Sequence, residues 1–161
     1  MNALESKYCE GLVDSAKEIF ETMICMTPSD IKELDKTEYS QTIQDEVIGI
    51  LGFTGTRSGV VSLNSSKVLG RAICASMLCM EVDEVEGDQD IADSFGELVN
   101  MVTGSFKNIW VADGNQMDLS IPSVVFGEGV SLSTGKATHV GYACRMYFEA
   151  GVLEINLRFN D

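Results

Sequence analysis

The chain is poor in the residues that usually announce chemistry. It has one histidine, one tryptophan and two prolines in 161 residues. With His139 alone, and no thiol beside it in sequence, a nucleophilic triad has little to stand on. His139 sits in a strand-like run, where a core or edge histidine is the ordinary reading. The five cysteines (Cys9, Cys25, Cys74, Cys79 and Cys144) are odd in number and form no Cys-x-x-Cys pair. Most lie among apolar residues, so reduced, buried thiols are expected rather than a disulfide framework or a metal site. Basic residues are scarce: 11 Lys and Arg face 25 Asp and Glu, for a net charge of −14. Such a surface repels phosphate backbones and anionic lipid, which argues against nucleic-acid or membrane binding. No apolar run has the length of a spanning helix, and "MNALESKYCEGLVDSAKE" carries neither a basic region nor an apolar signal core. A cytoplasmic protein is therefore expected.

What is present is an ordinary globular composition, 45% hydrophobic and 22% charged, without low-complexity segments or a linker long enough to divide it. One domain over residues 1–161 is expected. Residues 3–26 have helical period, and "TPSD" stops them, because Pro28 cannot continue a helix. "DIKELDKTEYSQ" reads as a polar connection with room for a short strand. "TIQDEVIGILGF" and "GVVSLNSS" flank "TGTR" as a hairpin. Ser65 or Ser66 then caps a helix over "KVLGRAICASMLCM". "EVDEVEGDQD", with six acids in ten residues, reads as a solvated loop whose last acids suit the positive end of the next helix dipole. That helix spans residues 90–110 and "ADGN" ends it. Strands alone follow: "MDLSIPSVVFG", "GVSLST", "ATHVGYACRMYFEA" and "GVLEINLRF", with turns at Gly135 and at Ala150 and Gly151. The order predicts an α+β domain, long amphipathic helices packed on an antiparallel sheet.

"DSFGELVNMVTGSF" is the informative stretch. At 100° per residue Asp93, Glu97, Asn100 and Gly104 form a narrow stripe. Ile91, Phe95, Leu98, Val102, Phe106 and Ile109 lie opposite, with Val99 at the margin. The apolar side must face the core, which leaves the stripe to solvent or to a partner. A solvated face is the plain reading. An asparagine and interior glycines are nonetheless poor helix formers, each glycine costing ~1 kcal/mol relative to alanine. Gly96 and Gly104 beside a carboxylate and an amide suit a surface that another backbone approaches. "LVDSAKEIFETM" in the first helix aligns with "IADSFGELVNMV" at a constant offset of 79 residues. Leu12, Ala16, Ile19, Phe20 and Met23 match Ile91, Phe95, Leu98, Val99 and Val102, while Asp14, Ser15 and Glu18 match Asp93, Ser94 and Glu97. Glu21, however, stands where Asn100 stands. The two helices read as a pseudo-repeat with a single working copy. "GFTGTRSG" lacks the Gly-Lys-Ser/Thr ending of a phosphate cradle, and "DGNQMD" lacks the glycine and glutamate of a calcium loop.

Asp93-x3-Glu97-x2-Asn100, followed after 21 residues by Pro122, resembles the signature of the CheC/CheX/FliY phosphatases of bacterial chemotaxis. The gap to Pro122 is one residue shorter than in that signature, which a deletion in the "VADGNQ" loop accommodates. "GELVNMVTGSFKNI" and "LSIPSVVFGEG" are most similar to the CheX branch, whose members carry one motif where CheC-like members carry two. The resemblance implies a phosphatase acting on the aspartyl phosphate of a CheY-like response regulator. By it, Asn100 would orient the attacking water and Glu97 would pair with the receiver's lysine. Asp93 would cap the helix or contact the partner at the rim, Gly96 and Gly104 would clear space for the partner, and Pro122 would shape the neighbouring strand. It implies no metal or cofactor bound by this chain, Mg²⁺ being expected in the receiver, and a homodimer with joined sheets. A CheC- or FliY-like adaptor that binds a receiver with little turnover is the alternative. A purely structural module with a wet stripe is the third reading.

Overall fold

The structure is a computed structural model that describes residues 3–34, 42–43, 45–131 and 139–160. Three helices lie against one antiparallel sheet. The first helix, α1, spans Ala3–Ile19 and runs into a π-helical turn at Phe20–Ile24. Helix α2 is Lys67–Leu78 and α3 is Asp88–Ala112. The strands are β1 (Asp30–Glu33), β2 (Thr42–Ile43), β3 (Val47–Gly55), β4 (Gly59–Ser65), β5 (Met117–Leu119), β6 (Ser123–Phe126), β7 (Val130–Ser131), β8 (His139–Phe148) and β9 (Gly151–Phe159). Their order in the main sheet is β1-β8-β9-β4-β3-β5, with β6 also pairing β3, and β2 and β7 form a separate pair. Every pairing is antiparallel. The α+β architecture expected from the order of the elements is the one found.

Alternation decides which side of each strand meets the helices. Val47, Leu51 and Phe53 of β3, Val61 and Leu63 of β4, and Leu153, Ile155 and Leu157 of β9 share one buried cluster with Leu12, Phe20, Ile73, Phe95 and Phe106. Gly49 lets α3 lie close to this face, since a β-carbon there would come within 3.0 Å of the Phe95 ring.

Several boundaries moved for local reasons. Ser66 is the cap of α2, its side chain accepting from the Leu69 N–H at 3.2 Å. That helix stops at Leu78 rather than Met80 because Cys79 turns left-handed (φ 54°). The first helical segment ends likewise at Cys25 (φ 57°), three residues before Pro28. The run from residue 42 to 53 is two strands in different sheets, since Thr42 and Ile43 pair with β7. "MDLSIPSVVFG" also splits, stepping off β3 at residues 120–122 and returning as β6. In the acidic loop Val82–Glu84 makes a 3-10 turn closed by a capping box between Glu81 and Glu84. Helix α3 extends two residues further at each end than expected. Val99 is fully buried, not marginal, and Trp110 is buried while Ile109 is half-buried. Met23, matched to the buried Val102, is 61% exposed. The π-helical turn adds a residue there, so Ile24 takes the core position instead. Cys9, Cys74 and Cys144 are buried thiols, as expected of most of the five, whereas Cys25 and Cys79 are exposed. Burial pushes the Cys144 thiol up to about 12. The turn between β8 and β9 falls at residues 149–150. Gly135 lies outside the described residues, and so does the side chain of His139, whose backbone opens β8.

Candidate functional site

Helix α3 is clamped on three sides. Phe95 and Val99 enter the core against β3, and Gly11 admits α1 so closely that a β-carbon would meet Ile109 at 2.8 Å. Toward α2, Ser94 is buried and donates its hydroxyl proton to Cys74 Sγ at 3.2 Å; that thiol donates to the Asp90 carbonyl at 3.3 Å. Thr103 turns its hydroxyl back to the Val99 carbonyl at 2.7 Å and disappears into the interior. A helix held this way presents its remaining face with little freedom to rotate or slide.

Asp93, Glu97 and Asn100 are exposed on that face. Asp93 sits in the second turn and accepts from Gln89 Nε2 at 2.8 Å. It does not cap the helix. The chain enters α3 at Gly87, and Asp90 accepts from the Glu86 N–H at 3.0 Å. The helix begins at Asp88, so Asp93 is too deep in it to reach the free N–H groups of the first turn.

The step from β5 to β6 supplies the second wall. Ser120 bonds Gly52 twice, through its N–H to the carbonyl and through its hydroxyl from the N–H, both at 2.9 Å. Pro122 follows, and Ser123 to Phe126 re-pair with β3. The result is a shallow cleft of about 350 Å³ lined by Ala92, Asp93, Gly96, Glu97, Pro122 and Val124. Four residues singled out in the sequence thus come together: Asp93, Gly96, Glu97 and Pro122. Asn100 and Gly104 follow Glu97 along the stripe and do not line the cleft.

The two glycines differ. A β-carbon at Gly104 would meet nothing within 4 Å, whereas one at Gly96 would touch Val124 Cγ2 at 3.6 Å. Gly96 is buried, so the space beside it is filled in part by β6 of the same chain. Gly96 nonetheless lines the open cleft. Ala92 and Val124 were not singled out in the sequence. Only the pairing of β6 with β3, which no local pattern encodes, brings Val124 over the helix. Among the described residues no three His, Cys, Asp or Glu side chains converge as metal ligands.

Residues 47–144 match the family model "Chemotaxis phosphatase CheX". The chain belongs to the CheX family. The matched segment holds α3 and Pro122, and so the whole cleft, but not α1. Solved CheX structures share the fold. That of Desulfovibrio desulfuricans has a TM-score of 0.77 at 21% identity, over 95% of this chain and 99% of that one. CheX of Vibrio vulnificus gives 0.77 at 22%, over 99% of each chain. CheX in a CheX–CheY–BeF3–Mg²⁺ complex from Borrelia burgdorferi gives 0.78 at 18%, over 96% and 98%. No curated protein matches the chain. No described helix of this CheX-family chain is long and apolar enough to cross a membrane.

Proposed function

We propose that this CheX-family protein accelerates hydrolysis of the aspartyl phosphate of a CheY-like response regulator. One observation carries the reading: Glu97 and Asn100 stand one turn apart on the open face of a helix whose other faces are fixed in the core. The CheX–CheY complex among the related structures names the class of partner. The receiver supplies the Mg²⁺ and the lysine at its phosphoryl group. This chain adds a positioned water. Asn100 enters the receiver's site and holds that water in line with the phosphorus, much as a glutamine does in small GTPases. The water oxygen bonds to phosphorus as the bond to the aspartate oxygen breaks, which regenerates the carboxylate and releases inorganic phosphate. A neutral amide suits the task, because it bonds water without repelling the phosphoryl oxygens. Glu97 pairs with the receiver's lysine and sets the register of the two proteins, and Asp93 contacts the receiver at the rim. Gly104 leaves the partner room, and Pro122 holds the bend between β5 and β6. Orientation of this kind is worth much, since effective molarities of aligned reactants reach ~10⁵ M.

The same reading makes residues 1–161 one phosphatase domain that works in the cytoplasm, where receivers act. It also makes the protein a homodimer. Among the described residues β1 forms one edge of the sheet, which a second copy could extend. The mass in solution checks this, with twice 17.5 kDa expected.

The deciding experiment follows phosphate release from a phosphorylated CheY-like receiver with Mg²⁺ present. Wild type accelerates it and Asn100→Ala loses at least about 100-fold of that acceleration, the usual scale for removing one positioned hydrogen-bonding group. Glu97→Ala mainly weakens binding. Equal rates for wild type and Asn100→Ala would overturn the mechanism. Binding without turnover by wild type would instead make the protein an adaptor.

A further inference from the structure

Ile121 is 86% exposed, the most exposed large apolar side chain among the described residues; Val68 follows at 67%. A lone exposed aliphatic residue on a mobile loop needs no explanation. This one is held. Before it, Ser120 is tied to Gly52 through both backbone and hydroxyl, and the same hydroxyl donates to the Ile121 carbonyl at 3.2 Å. After it, Pro122 fixes its own φ and confines Ile121 to extended geometry, and Ser123 is already paired with Ile50. The bend therefore presents an isoleucine to water on a backbone fixed at both ends. Its neighbour Pro122 lines the cleft opposite Asp93 and Glu97.

We infer that Ile121 is an apolar docking residue for the phosphorylated receiver, gripping a nonpolar patch beside the cation that Glu97 meets. This rests on the function proposed above. The helix and the adjoining bend ask for different chemistry, carboxylates in the cleft on α3 and an exposed aliphatic group on the bend next to it. The partner surface that satisfies both carries a positive group flanked by apolar area. Because the bend is already ordered, little conformational entropy is lost when Ile121 is covered, the condition under which a single side chain adds most to affinity. Ile121 acts on binding alone and reaches no reacting atom.

Two readouts on the full chain test it: binding of a beryllofluoride–Mg²⁺ receiver, and the kinetics of phosphate release from the phosphorylated one. Ile121→Ser raises Kd and KM by about tenfold, with kcat within about twofold of wild type, as truncation of an interface anchor does. Ile121→Leu restores most of the affinity. Leu78→Ser, at an exposed apolar position on α2, leaves both readouts unchanged. Asn100→Ala loses kcat and keeps Kd. If Ile121→Ser binds and turns over like wild type while Asn100→Ala is inactive, the docking role is wrong and the phosphatase reading stands. If wild type neither binds nor accelerates, the phosphatase reading falls and takes the docking role with it.

Discussion

Helices α1 and α3 start from nearly the same pattern and end in different circumstances. Both carry an exposed Asp and, four residues on, an exposed Glu, Asp14 and Glu18 in α1 and Asp93 and Glu97 in α3, and both bury the matched positions Leu12 and Ile91, Ala16 and Phe95, Ile19 and Leu98, Phe20 and Val99. They part at the next turn. Helix α3 continues regularly for three more turns, carries Asn100 and borders β6. In α1 the winding slips to a π-helical turn at Phe20–Ile24 and the chain leaves the helix at Cys25. Glu21, the counterpart of Asn100, sits in that turn. The difference teaches that a stripe of polar residues becomes a site only where the helix stays in phase and another element supplies the facing wall.

Removing a shared feature and then an unshared one breaks the comparison most sharply. Phe95→Ala should destabilise the protein by about 3–5 kcal/mol, the range for a buried phenylalanine. Met23→Ala, at an aligned position but 61% exposed, should change stability by less than about 0.5 kcal/mol. Chemical denaturation of the two variants gives the contrast directly. Equal losses would mean that the phase slip after Phe20 does not exist in solution.

The glycines come next in size. Gly104→Ala should stabilise by about 0.5–1 kcal/mol, since alanine is the better helix former and its β-carbon meets nothing. In Gly11→Ala the new methyl meets Ile109 at 2.8 Å, so this variant should gain less or lose stability. Thermal melts rank the pair. If Gly104→Ala also weakens receiver binding, the open space at that turn belongs to the interface.

A smaller effect concerns the link between the helices. Lys7 of α1 pairs at 2.6 Å with Asp113, just beyond α3. The hydrogen bond from Lys7 holds the Asp113 carboxyl below its usual range. A depressed carboxylate contributes stability above its unfolded pKa and loses it as pH falls through the folded value. Asp113→Asn should therefore lower the melting temperature slightly at neutral pH, and the gap should close as the medium is acidified. The pair is exposed and its effect modest. The smallest expected change is none. Placing Glu21→Asn in the Asn100→Ala background should restore no phosphatase activity, because Glu21 sits in the π-helical turn, out of the regular helical phase that holds Asn100. Recovered turnover would show that the amide alone makes a working face.

The stripe was legible in the sequence because helical period is a local property. So was the core face, from Ile91 to Phe106. Val99 lies at the margin of the helical wheel, which shows direction but not how deeply the helix sinks, and Gly49 lets α3 sink far enough to cover it. The exit from α1 could not be read either, since nothing in "FETMIC" marks a π-helical turn or a left-handed cysteine. Gly96 shows the limit best. As a glycine in a helix beside Glu97 it reads as clearance for a partner, and it is partly occupied by Val124.

What the sequence by itself determined is the local pattern: which side of α3 is apolar, which residues stand on the other, and the spacing from Asn100 to Pro122 that links the chain to the CheX family. Only the tertiary structure decided that Pro122 lines a cleft with Glu97, that Ile121 is held out beside it, and that the similar stripe on α1 runs into a π-helical turn. The physical reason is that helical phase depends on bonds four residues apart, whereas the cleft depends on β6 pairing with β3 some 75 residues away in the chain, a contact fixed by packing and not by any local preference.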